Sequence, residues 1–176
     1  ILEKKNIIGL NKGGKNITLE PGNQIELSGE KLQNIHEACA ESQDYLFELR
    51  QVTQRLGINI VSAGFDPISK LDEIPNNPKQ RYKLMTKDMP LGGELSLDMM
   101  YRTCGTQLNI DYSSEEDFIK KFKIVNSIVP ISVALFANSS IIEKKKSKYL
   151  SYRSKVWQNT SRGGLPKLFF ENLDFE

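Results

Sequence analysis

The stretch "ITLEPGNQIELSG", residues 17–29, restricts this chain more than any other. A Pro-Gly-Asn turn separates two runs that alternate apolar and polar residues. Ile17, Leu19, Ile25 and Leu27 take odd positions; Thr18, Glu20, Gln24, Glu26 and Ser28 take even ones. Side chains of a strand point alternately to its two faces, so each set shares a face. The pattern predicts an antiparallel hairpin with residues 21–23 as its turn. Glu20 then faces Gln24, and Thr18 faces Glu26. The two glutamates become diagonal neighbours, roughly 7–8 Å apart. Two readings stay open on pattern alone. The face is either an ordinary wet hairpin surface, or a carboxylate pair that suits the oxygen preference of Mg²⁺.

Helical period follows strand period. Residues 30–56 carry Leu32, Ile35, Cys39, Leu46, Leu49, Val52 and Leu56 at three- and four-residue steps, and Gly57 supplies a helix stop. Residues 58–65 read as a buried strand. Pro67, Pro75 and Pro78 punctuate a loop, and residues 79–86 suit a short helix. Residues 103–112 alternate again, with Gln107, Asn109 and Asp111 on one face. Ser113 and Glu116 suggest a capping box for a helix whose stripe is Phe118, Phe122, Val125 and Val129. Pro130 marks a break or restart of that helix. "EKKKSK" at 143–148 reads as a mobile, solvated loop, and residues 149–157 as a helix. Mixed strands, hairpins and helices predict an α+β fold. With 176 residues, 39% of them apolar, the chain is expected to form a single domain over 1–176 with a real core.

Several function classes drop away. The net charge of +2 gives no pull toward nucleic acid or anionic membrane. No apolar run is long enough to span a bilayer. Two cysteines, Cys39 and Cys104, and one histidine, His36, argue against a disulfide scaffold or a zinc site and suggest a reducing, cytoplasmic setting. "NKGGK" lacks the spacing of a phosphate loop and precedes a strand. Arg81, Arg102, Arg153 and Arg162 remain as forked cations able to grip carboxylate or phosphate. Gln107 and Asn109 could bind phosphate oxygens if they stand beside a carboxylate face. Trp157, the only tryptophan, reads as core.

The blocks "LEPGNQIELSG", "HEACAE", "GFDPISKLDEIPNNPKQRY", "LDMMYRTCGTQLNIDYSSEEDFIKKF", "ALFANSS", "SYRSKVWQNT" and "GGLP" follow one another along the whole chain. In this order they resemble the plant-type glutamate–cysteine ligases. Members of that family are much longer, so the resemblance implies an internal fragment, the central part of a catalytic domain. It implies a glutamine synthetase-like fold, a curved and mainly antiparallel sheet with helices packed behind. It implies ATP-dependent joining of L-glutamate, through its γ-carboxylate and an acyl phosphate, to the amine of L-cysteine, the first step of glutathione synthesis.

The resemblance also assigns roles. Glu20 and Glu26 would hold Mg²⁺ and thereby ATP. Gln107 and Asn109 would face the nucleotide. Arg153 would clamp the α-carboxylate of glutamate. Arg81, Tyr82, Trp157 and Arg162 would complete the amino-acid pocket, with Met100 and Cys104 near the cysteine subsite. A cysteine at the position of Cys39 can form a redox-sensitive disulfide in the family; a buried residue of the helix stripe is the equal alternative. Further metal carboxylates are expected upstream of Ile1, so the chain alone is expected to be inactive. Another carboxylate–amine ligase of the same superfamily, or a non-catalytic module with a degenerate ligase fold, are the competing readings.

Overall fold

A computed structural model describes residues 1–3, 5–161 and 164. The described residues form an α+β protein built from small antiparallel sheets and helices. The chain divides into two compact units, residues Ile1–Ser62 with Ile74–Met85, and Ala63–Glu73 with Thr86–Glu176.

The first unit is centred on the expected hairpin. Strands β1 (Leu2–Glu3) and β2 (Asn6–Ile7) make a small ribbon. Strands β3 (Gly9–Lys12), β4 (Lys15–Leu19) and β5 (Ile25–Ser28) form an antiparallel meander in the order β3-β4-β5. The register is the one the alternation predicts: Thr18 pairs with Glu26, and Leu19 with Ile25. Residues 21–23 make the turn. Glu20 N–H donates to the Gln24 carbonyl, and Asn23 N–H to the Glu20 carbonyl, each at 2.8 Å. Asn23 sits at φ 62°, the left-handed conformation that closes a three-residue hairpin loop.

Helix α1 (Ile35–Leu56) begins later than the periodicity suggests. Asn34 caps it, its side chain accepting from the N–H groups of His36 and Glu37. Gly57, at φ 66°, stops it as expected. The inner face of α1 is not the expected one, however. Ile35, Leu46, Val52 and Leu56 are exposed, whereas Ala38, Glu41, Tyr45, Leu49 and Thr53 form the half-buried stripe. Polar contacts hold this face: Glu41 pairs with Lys15 at 3.6 Å and accepts from Glu30 N–H at 3.0 Å. Cys39 is exposed, which corrects its reading as a buried stripe residue. Helix α2 (Gln80–Asp88) follows, its residues to Met85 belonging to this unit.

The second unit packs α3 (Ser96–Arg102) against α5 (Tyr152–Gln158). Phe65, Met89, Met100, Tyr101 and Val156 are its buried apolar residues among those described. Among the described residues the predicted strands at 58–65 and 103–112 do not form ladders, and the single pairing in either is the antiparallel bridge between Phe65 and Thr103. Alternation marks two faces, but a strand also needs a neighbour for its N–H and C=O groups.

Helix α4 (Glu115–Leu135) starts one residue late: Ser114, not Ser113, is the cap, and Asp117 reaches back to Ser113 N–H at 2.9 Å in place of Glu116. It runs through Pro130 without a break and has no buried residue; Val125 and Val129 of the expected stripe are exposed. "EKKKSK" is not a loose loop. Strands β6 (Ile141–Ile142) and β7 (Lys145–Lys146) pair across a turn whose Glu143 and Lys144 have φ 49° and 66°. No helix among the described residues is long and apolar enough to cross a membrane.

Candidate functional site

The carboxylate cluster lies in the first unit. Tyr82, 1% exposed on α2, reaches the hairpin: its hydroxyl donates to Glu20 Oε1 at 3.2 Å. Lys79 comes with it. Its Nζ donates to the Leu19 carbonyl at 2.8 Å and to the Tyr82 hydroxyl at 3.3 Å, and lies 5.0 Å from the Tyr82 ring centroid. Arg81 covers the same ring at 5.1 Å. The loop before α2 is pinned to the hairpin turn by Asn77 N–H to the Pro21 carbonyl at 2.9 Å and by the Asn77 and Asn23 side chains at 3.1 Å. One turn therefore orients two acids, two cations and a phenol.

The electrostatics follow from this grouping. Partial burial, then the charge of Glu20, pushes the Glu26 carboxyl above its usual range; Lys79, Ser28 and Arg81 oppose them. Burial, then Glu20, pushes the Tyr82 phenol up to about 12, so it stays a neutral donor at physiological pH. A carboxylate whose ionised form is disfavoured by a second carboxylate gains most from a cation placed between them. No group of three or more His, Cys, Asp or Glu side chains able to hold a metal occurs among the described residues. The pair can still fit Mg²⁺, which is commonly held by one or two carboxylates together with substrate phosphates and water.

The arginine cluster lies in the second unit. Ser139 Oγ accepts from Arg153 N–H at 3.0 Å and fixes the start of α5. The Arg153 guanidinium lies 5.7 Å from the Trp157 ring centroid. A Cβ at Gly105 would stand 2.9 Å from Arg153 Nη2, so the guanidinium runs close along that backbone. Arg153 Nε and Trp157 Nε1 are both buried without a hydrogen-bond partner among the described residues. Burial draws the Arg153 guanidinium below its ordinary value, with the neighbouring Cys104 opposing. Cys104 itself is exposed, and partial desolvation and then Asp66 push its thiol up, against Arg153. Donors left wanting at a desolvated guanidinium suit an anionic acceptor such as a carboxylate.

The sequence candidates thus fall into two groups. Glu20, Glu26, Arg81 and Tyr82 are brought together, and so are Arg153, Trp157 and Cys104. Gln107 and Asn109, expected on one face of a strand, lie in a segment that forms no strand; they are exposed and bond each other, Gln107 Nε2 donating to Asn109 Oδ1 at 3.0 Å. Met100 stands in helix α3 rather than at a strand start, and is 5% exposed within the core of its unit. Arg162 lies outside the described residues. Lys79 was missed, although it opens the "KQRY" block; nothing in periodicity distinguishes a buried lysine from a surface one. A shallow apolar groove on α4, lined by Pro130, Ile131, Ala134 and Leu135, contains none of the candidates.

The first unit thus holds a carboxylate pair beside two cations, and the second, by itself, a desolvated arginine beside an aromatic ring. The chain matches Glutamate-cysteine ligase family 2 (GCS2) over residues 3–176 and belongs to that family. It is 45% identical to glutamate–cysteine ligase A, chloroplastic, of Oryza sativa subsp. japonica over 179 aligned residues, covering 100% of this chain and 36% of the relative. The chloroplastic glutamate–cysteine ligases of Nicotiana tabacum and Arabidopsis thaliana are 45% and 44% identical, each matched over 100% of this chain and 34% of its own length. The chain spans about a third of the length of these curated relatives. The expectation of a cytoplasmic setting is corrected, because these relatives are named as chloroplastic and point to a plastid. Cysteine usage reports only a reducing compartment, which does not separate the two.

Proposed function

We propose that this chain is the central part of the catalytic domain of an ATP-dependent ligase that joins L-glutamate to L-cysteine. The observation that carries this reading is the family match over residues 3–176. The site chemistry agrees with it. A carboxylate is a poor acyl donor, so the γ-carboxylate oxygen first attacks the terminal phosphoryl group of ATP, and ADP leaves. The cysteine nitrogen then attacks the acyl carbon, the C–N bond forms, the C–O bond to phosphate breaks, and the amine proton passes to solvent. In this scheme Arg153 binds the α-carboxylate of glutamate, with Trp157 as the wall behind it. Arg81 and Tyr82 order the carboxylate pair, and Arg162 completes the amino-acid pocket. Met100 and Cys104 border the cysteine subsite, while Gln107 and Asn109 meet the nucleotide. Glu20 and Glu26 would hold Mg²⁺, which supplies charge stabilisation for the transferring phosphoryl group when bound. The sheet we infer for the whole domain is the curved antiparallel sheet of glutamine synthetase-like folds, to which β3-β4-β5 contributes three strands.

The test uses the full-length protein. Glu26→Gln and Glu20→Gln keep the side-chain shape and remove the charge. Each is expected to weaken Mg²⁺-dependent ATP binding, read by calorimetry, by at least about tenfold with the fold retained by circular dichroism. Unchanged Mg²⁺-dependent binding in both variants would remove the carboxylate pair from the metal site. The 176-residue chain by itself is expected to release no ADP with glutamate and cysteine present.

A further inference from the structure

Arg102, the last residue of α3, is 4% exposed, yet no substrate role falls to it. Its Nη1 donates to Asp98 Oδ1 at 2.9 Å and to Glu143 Oε1 at 3.4 Å. Its Nε and Nη2 are buried with no hydrogen-bond partner among the described residues. The guanidinium instead lies 4.4 Å from the Phe65 ring centroid, close enough for a strong cation–π contact. Burying a guanidinium with two unmet donors is costly, and well-packed apolar residues would stabilise the unit at least as well. Such a group has to be explained by what it holds in place.

Two routes lead from Arg102 to Arg153. Through side chains, Phe65 meets Tyr152 edge-on, with centroids 5.0 Å apart at 82°, and Tyr152 precedes Arg153. Through the backbone, Asp66 N–H donates to the Arg102 carbonyl at 2.8 Å, and Cys104 N–H to the Gly64 carbonyl at 3.2 Å. A Cβ at Gly64 would lie 3.4 Å from Arg153 Cδ, so the stem of Arg153 packs on the segment that Arg102 fixes. Glu143 adds the β6–β7 turn to the same ion cluster. Ser139, which receives Arg153 N–H, opens the chain segment leading to that turn.

We propose that Arg102 is a positioning residue that aims the Arg153 guanidinium at the substrate carboxylate, acting through Phe65 and the backbone of residues 64–66. The proposal rests on the reading of Arg153 as the clamp for the glutamate α-carboxylate. Lysine at 102 keeps the charge but loses the planar face that stacks on Phe65 and the fork that meets two acids.

The experiment is steady-state kinetics of the full-length enzyme with glutamate, cysteine and Mg·ATP. Arg102→Lys, Arg153→Lys and the double variant are compared. Arg102→Lys is expected to raise the KM for glutamate roughly tenfold while leaving kcat and the KM for ATP within about twofold. Because Arg102 acts through Arg153, the double variant is expected to match Arg153→Lys alone. An unchanged glutamate KM in Arg102→Lys, a uniform loss across all parameters, or effects that multiply in the double variant would overturn the proposal. An unchanged glutamate KM in Arg153→Lys would instead refute the clamp reading on which it rests. Should Arg102→Lys not fold, Phe65→Leu, which removes the ring and leaves the ion cluster, is expected to raise the glutamate KM in the same selective way; a wild-type KM there overturns the proposal equally.

Discussion

Removing one oxygen from Tyr82 tests how the carboxylate cluster is held. The hydroxyl donates to Glu20 Oε1 at 3.2 Å and accepts from Lys79 Nζ at 3.3 Å. A hydrogen bond to a charged group contributes about 1.5–3 kcal/mol, and this one is long and reaches a half-buried acid, so about 1–1.5 kcal/mol is expected. Lys79 retains the Leu19 carbonyl at 2.8 Å, which limits the loss on its side. With a slope of about 2 kcal/mol per molar urea, Tyr82→Phe should lower the unfolding midpoint by roughly 0.5–0.75 M at unchanged slope. Tyr82→Ala also deletes a fully buried ring and should cost about 3–5 kcal/mol. A second signature is alkaline. The phenol ionises at about 12 in the folded chain and near 10 when unfolded, so the folded state holds the extra proton between these values. This contribution makes stability fall as pH rises from about 10 to about 12, and Tyr82→Phe should lack that part of the fall. A neutral Tyr82→Phe, or Tyr82→Ala no worse than Tyr82→Phe, would refute the reasoning.

Two further predictions concern backbone anchors. Asp66 Oδ1 accepts from the N–H groups of Ile68 and Ser69 at 2.8 and 3.0 Å; burial works against ionisation, but these bonds prevail and the carboxyl lies below its usual range. Its stabilisation is full above the ordinary aspartate value and is lost as pH falls through the lower folded value. Asp66→Asn should therefore cost about 1 kcal/mol at neutral pH, shrinking under acid, as followed by urea melts across pH. Gly57 closes α1 at φ 66°, and a Cβ there would meet nothing within 4 Å, so Gly57→Ala should cost about 1 kcal/mol through backbone strain alone, read as a lower melting temperature.

The legible parts of this chain were those governed by local rules. The hairpin register, the left-handed Asn23 and the Gly57 stop each depend on a few neighbouring residues. Residues 58–65 and 103–112 carry strand-like patterns, but whether they pair depends on partners that periodicity does not name. The stripe of α1 failed for a related reason: its inner face includes Tyr45 and Glu41, which reaches Lys15 and Glu30 N–H, while Leu46, Val52 and Leu56 are exposed. In the candidate site, alternation nominated Glu20 and Glu26, side-chain chemistry singled out Arg153, and the family resemblance added Tyr82. Lys79 became visible only in three dimensions, as did the burial of Arg102, which the sequence named only as one of four forked cations, because a buried cation is recognised by its neighbours and not by its spacing.

The central claim is the ligase reaction itself, and product formation by the full-length protein tests it most directly. With Mg·ATP and glutamate, cysteine is to be exchanged for other amines while ADP release and the peptide product are followed by mass spectrometry. The account predicts γ-glutamylcysteine, one ADP per peptide, and little product when cysteine is replaced by another amine. Efficient coupling of another amine in preference to cysteine would move the protein to a different carboxylate–amine ligation. No glutamate-dependent ADP release with any amine would contradict catalysis altogether.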